Sequence, residues 1–160
     1  PVLSAEPVHS VFFDHYGGAC AGHADDSLTC GRGSGIEGIG RPHCEPSFIP
    51  ACIDAMVKVP DALSLGAMRH VSAVLGRRVG GSTGTNFVGI LAAAIRMREA
   101  GQAGSIVSIL CDSGERYAHI YYNGDWYLQR GIPIVESDDA IAAAVAGRGL
   151  PPLLQADWPN

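Results

Sequence analysis

Four short stretches of this 160-residue chain hold residue types that do chemistry. Gly80-Gly-Ser-Thr-Gly84 sets two hydroxyls in a glycine-rich turn ahead of a helix-forming run. Such a turn offers free backbone N–H groups and the positive end of a helix dipole to a phosphate, an oxyanion or an acceptor ring nitrogen. The same five residues match G-x-S-x-G, the turn that lifts a serine nucleophile in hydrolases, and Asp112 and His119 follow in triad order. Those two stand only seven positions apart, and the chain is short for a hydrolase, so that reading is secondary. A plain helix cap by Ser82 or Thr83 is the structural alternative, about 1 kcal/mol of stability.

Cys111-Asp-Ser-Gly-Glu-Arg-Tyr117 follows Ser105–Leu110, the run that reads most clearly as a buried strand. Ligands of parallel α/β sheets gather beyond the carboxyl ends of strands, which makes Asp112 and Ser113 candidate site residues. Gly33-Ser-Gly-Ile-Glu-Gly38 fits the dinucleotide pattern G-x-G-x-x-G by letter. That pattern needs a strand before it and a helix after it. Here Ala19–Thr29 is too polar for a buried strand, and Pro42 and Pro46 interrupt any following helix. The segment reads instead as a loop that lets a ligand approach the backbone. Cys20, His23, Cys30, His43 and Cys44 raise the question of zinc. Structural zinc favours two close ligand pairs; Cys20 and His23 form one, whereas His43 and Cys44 are adjacent and poorly placed to ligate together. No metal is expected, and the cysteines read as free thiols in a reducing, cytoplasmic setting.

The elements that must position these residues alternate. Val2–Ser4 reads as the end of a strand, Glu6–Pro46 as a long irregular segment, and Ile53–Val59 as a strand. Asp61 caps a helix that ends before Gly76; Arg77–Val79 is extended; Gly80–Gly84 is a turn; Phe87–Ala100 is a helix. Ser137 is predicted to cap a short alanine-rich helix, with Asp138 and Asp139 at its positive end, and the Pro-rich end after Gly149 reads as loose. The alternation predicts an α/β domain with a parallel sheet flanked by helices. The net charge of −5 and the absence of basic runs argue against a nucleic-acid partner, and no stretch is long and apolar enough to span a membrane. The abrupt start at Pro-Val-Leu-Ser, without Met, reads as the interior of a longer chain.

Taken in order, Ile36-Glu-Gly-Ile-Gly40, Phe48-Ile-Pro50, Gly80-Gly-Ser-Thr-Gly-Thr85, Ser113-Gly-Glu-Arg-Tyr117 and Asp125-Trp-Tyr-Leu-Gln-Arg-Gly131 resemble the C-terminal half of the cysteine synthase and cystathionine β-synthase type of pyridoxal-phosphate (PLP) enzyme. The likeness is closest to cysteine-synthase-like L-cysteine desulfhydrases, which carry Glu-Gly-Ile-Gly-Arg-Pro, Glu-Pro-Ser-Phe, Gly-Gly-Ser-Thr-Gly-Thr-Asn and Cys-Asp-Ser-Gly in this order. It implies the large domain of PLP fold type II over residues 1–135, with a short helix and tail of unassigned role over 136–160. It also implies that Ser82 donates to the pyridine nitrogen of PLP, that Gly38 and Gly40 line the cofactor and substrate face, and that Asp112 and Ser113 lie beside the ring.

One departure is decisive for what the chain does alone. The family holds PLP as a Schiff base on a lysine, and this sequence has a single lysine, Lys58, which matches no catalytic motif. The resemblance places the catalytic lysine, the substrate-carboxylate loop and the phosphate-binding loop in an N-terminal half. That half is either the same longer chain or a separate subunit, so no catalytic residue is assigned here and the chain alone is expected to be inactive. The complete enzyme would be a homodimer acting on a small amino acid, by β-elimination or β-replacement on cysteine or an O-activated serine. The alternatives are a non-catalytic binding or regulatory module of the same fold, or a serine hydrolase using Ser82.

Overall fold

A computed structural model describes residues 1–151 and 155–157, the last three by backbone alone. The described residues form two compact units, 1–61 with 155–157, and 62–151.

In the first unit, β1 (Leu3–Pro7) lies parallel to β2 (Ala55–Val59), and β3 (Gln155–Asp157) runs antiparallel along the other side of β2. The α/β class stands, but the sheet is small and mixed rather than wholly parallel. β2 is central, and Met56, Val57 and Val59 are fully buried, as expected of a strand covered on both faces. The strand β3 corrects part of the expected loose tail; the remainder of that tail lies outside the described residues. The supposed irregular segment contains a helix, α1 (Phe12–Cys20). Gly17 and Gly18 within it are poor helix formers, so the helix owes its place to packing. Phe12 stacks on Phe48 at 4.0 Å between centroids, and His15 and Tyr16 are buried.

The second unit is helical. α2 (Asp61–Leu75) has the bounds read from the sequence. α3 (Gly81–Glu99) starts earlier than expected and absorbs the predicted turn, so Gly81–Gly84 are helical. Each glycine costs about 1 kcal/mol against alanine in a helix. The compensation is close approach to α2: a Cβ on Gly84 would collide with the Ser64 carbonyl and lie 2.7 Å from the Met68 nitrogen. Beside that contact the buried Thr85 hydroxyl donates to Ser64 Oγ at 2.8 Å. α4 (Gly124–Arg130) is capped by Asn123 and stopped by Gly131, which adopts a left-handed φ of 61°. α5 (Ile134–Val145) begins before the expected cap. Ser137 lies inside it, buried, with its hydroxyl donating back to the Pro133 carbonyl at 2.6 Å. Pro133 therefore marks the start, as the missing N–H of proline allows. Asp138 holds Arg69 of α2 at 2.7 Å instead of facing the start of its helix. Tyr117, Tyr121 and Tyr127 are buried together in this unit, Tyr117 and Tyr121 stacking at 4.9 Å.

Ser105–Leu110 departs most from expectation. It forms no strand among the described residues, and all six residues are exposed. Its composition suits a sheet interior, but no described strand lies beside it.

Two outcomes follow for stability. Gly84→Ala should destabilise the second unit by about 1–3 kcal/mol through overpacking, read by urea or thermal denaturation. Glu6 in β1 has its carboxyl pushed above the usual range, chiefly by burial and against opposing hydrogen bonds from Ser10 and Ser4. A raised folded pKa gives stability that is complete below the unfolded value and lost as pH rises through the folded one. The first unit should therefore weaken from acid toward neutral pH, and Glu6→Gln should flatten that profile.

Candidate functional site

The predicted site residues fall in both units. Ser82, Asp112 and Ser113 belong to the second, Gly38 and Gly40 to the first.

In the second unit the turn before α3 is stitched to the Asp112–Ser113 segment by backbone. Gly80 N donates to the Asp112 carbonyl at 3.0 Å, Gly114 N donates to the Arg78 carbonyl at 3.2 Å, and Val79 and Ser113 form an isolated antiparallel bridge. Backbone crowding demands glycine at Gly114, whereas at Gly80 the close neighbour is a side-chain end. A Cβ on Gly80 would collide with the Asp112 carboxylate, and one on Gly114 would lie 2.5 Å from the Val79 carbonyl oxygen. Thr83, buried, accepts the Cys111 N–H on its Oγ1 at 3.0 Å and so fixes the far side of the turn.

Ser82 differs from its neighbours. It is half-buried in the first turn of α3, and among the described residues its hydroxyl has no hydrogen-bond partner. No side chain caps this helix either, and Gly80 in the cap position has no hydroxyl to do so. The cap reading of Ser82 and Thr83 is therefore overturned: Thr83 is spent on Cys111, and Ser82 caps nothing. A free hydroxyl at an uncapped helix start is suited to an acceptor such as a ring nitrogen, and the positive end of the dipole favours an electron-rich partner there.

Asp112 is exposed, and its carboxylate accepts from Tyr117 Oη at 2.6 Å with Arg116 at 3.8 Å. Ser113 Oγ accepts the Glu115 N–H at 3.3 Å and caps a short 3-10 turn, Gly114–Tyr117. No described hydrogen bond joins Ser82 to Asp112 or His119, and His119 is exposed. The nucleophile–base contact that defines a hydrolase triad is thus absent among the described residues.

Sequence reasoning missed the residue that fixes Val79, two positions before α3. The Tyr122 hydroxyl accepts from Val79 N at 3.0 Å, donates to the Val79 carbonyl at 2.6 Å and meets Ser72 Oγ at 2.8 Å. The crowding of tyrosines between Tyr117 and Tyr127 was the available signal.

In the first unit Gly38 and Gly40 have left-handed φ angles of 85° and 82°, which L side chains rarely adopt. Gly40 is also enclosed: a Cβ there would lie 3.0 Å from the His9 carbonyl and from the Pro7 ring. The loop is anchored at its start by Asp61, whose carboxylate accepts from Ser34 Oγ at 3.0 Å and from Gly35 N at 2.5 Å. Ile36 is buried, and Arg41 N donates to the buried Ser10 hydroxyl at 3.2 Å. No strand precedes Gly33 and no helix follows Gly38, as the rejection of a dinucleotide site requires. Lys58, on β2, is held by Asp14 at 3.0 Å and lies over the Phe13 ring at 5.2 Å.

The five cysteines are free thiols. The sulfur and nitrogen ligands considered from the sequence do not converge as a set. Among the described residues a different trio does, with the ligand atoms of His15, Asp26 and Cys44 within 4.8 Å of one another. His15 Nδ1 already faces the Asp25 carbonyl at 3.1 Å, and the Cys44 thiol is pushed up by burial and by the charges of Asp26 and Glu45.

Comparison with known proteins bears on this geometry. No protein-family profile matches the sequence. The chain is 49% identical over 127 residues to the L-cysteine desulfhydrase Cds1 of Mycobacterium tuberculosis, covering 79% of this chain and 33% of that protein. It is 33% identical over 97 residues to a cysteine synthase, so named provisionally, of Sinorhizobium fredii, covering 60% of this chain and 26% of that protein. The chain thus spans about a third or less of the length of the curated relatives it matches. Over the matched spans the sequence is similar to these two proteins, in keeping with the resemblance of its ordered motifs.

Ser82 and Thr83 should separate cleanly on substitution. Ser82→Ala should leave stability within about 0.5 kcal/mol, as expected where no contact is lost. Thr83→Val strands the Cys111 N–H and should cost about 1–3 kcal/mol, compared by chemical denaturation.

Proposed function

We propose that this chain is part of a PLP-dependent enzyme that acts on L-cysteine by β-elimination, yielding pyruvate, ammonia and sulfide. The observation that carries the proposal is Ser82, whose hydroxyl has no hydrogen-bond partner among the described residues, at an uncapped helix start within a span 49% identical to an L-cysteine desulfhydrase. β-Replacement to make cysteine from an O-activated serine is the neighbouring activity, supported by the second relative.

When bound, PLP supplies an electron sink for bonds at the substrate Cα and for departure of the Cβ substituent. Ser82 Oγ would donate a hydrogen bond to the pyridine nitrogen, and the positive end of α3 would oppose protonation of that nitrogen. A neutral ring is the weaker sink, which suits loss of a good leaving group such as a thiol. Asp112 and Ser113, bridged to the turn before α3, would lie beside the ring, as the resemblance implies. Gly38 and Gly40 offer backbone rather than side chain on their own loop. The lysine that would hold the cofactor and move protons would come from sequence outside these 160 residues, since Lys58 matches no catalytic motif and is paired with Asp14. We place the enzyme in the cytoplasm as a homodimer; no helix among the described residues is long and apolar enough to cross a membrane.

The test is sulfide release from L-cysteine. The 160-residue chain alone should release none. Co-expressed with the part of the Mycobacterium tuberculosis relative outside the matched span, it should gain PLP absorbance and sulfide release. In that assembly Ser82→Ala should weaken cofactor binding about fivefold, the loss of one hydrogen bond near 1 kcal/mol. Turnover by the chain alone would overturn the proposal.

A further inference from the structure

We propose that His15, Asp26 and Cys44 form a binding site for zinc or a like divalent cation, which ties the irregular segment 21–46 to α1. The proposal does not depend on the desulfhydrase reading. It rests on where three side chains of the first unit meet.

The three ligand atoms lie within 4.8 Å of one another, although they come from three separate stretches of chain. His15 Nδ1 is 3.7 Å from Asp26 Oδ1. In a tetrahedral zinc site, bonds of about 2.0–2.3 Å set neighbouring ligand atoms roughly 3.3–3.8 Å apart. That pair already has the spacing, and closing the rest takes a movement of about 1 Å. His15 is the fixed partner. It is buried on α1, with its ring edge-on to Phe48 at 5.7 Å, and Phe48 is stacked on Phe12. Asp26 and Cys44 stand on irregular backbone that is free to close on it. The turn at Asp26 is set by its neighbour, since the Asp25 carboxylate accepts from Ser27 N at 2.9 Å and from Ser27 Oγ at 2.6 Å. Cys44 is delivered by the isolated bridge between Thr29 and His43 and by the Cys30 N–H, which donates to the Pro42 carbonyl at 2.7 Å.

The donor set selects the cation. Thiolate, imidazole and carboxylate together suit zinc, whereas calcium and magnesium want oxygen alone. Three protein ligands leave the fourth position to water. Two carboxylates, Asp26 and Glu45, set a negative potential at the Cys44 sulfur, which favours a cation there. On binding, the Cys44 thiol gives its proton to solvent. The cation takes the lone pair of His15 Nδ1, the ring proton resides on Nε2, and the contact of Nδ1 with the Asp25 carbonyl is given up. The gain is structural: residues 21–46 hold no helix or strand among the described residues, so a cross-link there supplies order that few backbone hydrogen bonds provide. Sequence spacing marked Cys20, His23, Cys30, His43 and Cys44, and of these Cys44 alone joins the trio. With one ligand drawn from the adjacent His43 and Cys44, the objection to their ligating together falls away.

Titration of the metal-free, reduced 160-residue chain with zinc, against a competing chelator, tests the site. A single zinc per chain should bind with a Kd of about 1 μM or tighter. It should raise the melting temperature, and cobalt in its place should show a sulfur-to-metal charge-transfer band. Cys44→Ser and Asp26→Asn should each weaken zinc at least about tenfold, and Cys44→Ser should also remove the cobalt band. Asp26 is exposed, so its variant tests the site without disturbing the core. Cys20→Ser and Cys52→Ser should change neither affinity nor band. Several weakly held ions per chain, affinity indifferent to both Cys44→Ser and Asp26→Asn, or cobalt bound without the sulfur band would overturn the proposal and leave an adventitious ion only. Failure to bind zinc at all would overturn it equally.

Discussion

The second unit depends on backbone packing closer than any side chain would permit. α3 reaches α2 because Gly84 presents no Cβ to the Ser64 carbonyl, and the turn before it reaches the Asp112–Ser113 segment because Gly114 presents none to the Val79 carbonyl. These approaches bury Thr83 and Thr85 and leave Ser82, on the same helical turn, half-buried and without a hydrogen-bond partner among the described residues. That hydroxyl is thus a product of packing: the following hydroxyls are spent on Cys111 and Ser64, and helix geometry turns the one before them away.

The two glycine loops are built by different means. The Gly33–Gly40 loop owes its shape to positive φ and to one carboxylate, Asp61, that receives both Ser34 and Gly35. The segment before α3 owes its shape to hydrogen bonds from above and below, with Tyr122 gripping both the N–H and the carbonyl of Val79. Conformational freedom serves the first, and enforced proximity serves the second.

Legibility in the sequence followed the source of each element's stability. α2 and β2 have local signals, an acidic start, a glycine stop and a continuous apolar run, and both were readable. α1 and the first turn of α3 contain glycines that argue against helix and are held by packing that no local window contains. Ser137 looked like a cap because its type favours that position, but Pro133 starts the helix and the hydroxyl turns back inside. The motif order singled out Ser82 as a candidate, and only the structure distinguished its hydroxyl, unpartnered among the described residues, from the bonded one of Thr83. Tyr122 was illegible because nothing in its neighbours reveals that it reaches across to Val79.

The apolar run before Asp112 has a consequence for the isolated 160-residue chain. Between Glu99 and Asp112 there is no charge and no proline to interrupt it, which is the profile of a segment that stacks on its own kind in cross-β order. The isolated chain is therefore expected to self-associate through this run as its concentration rises.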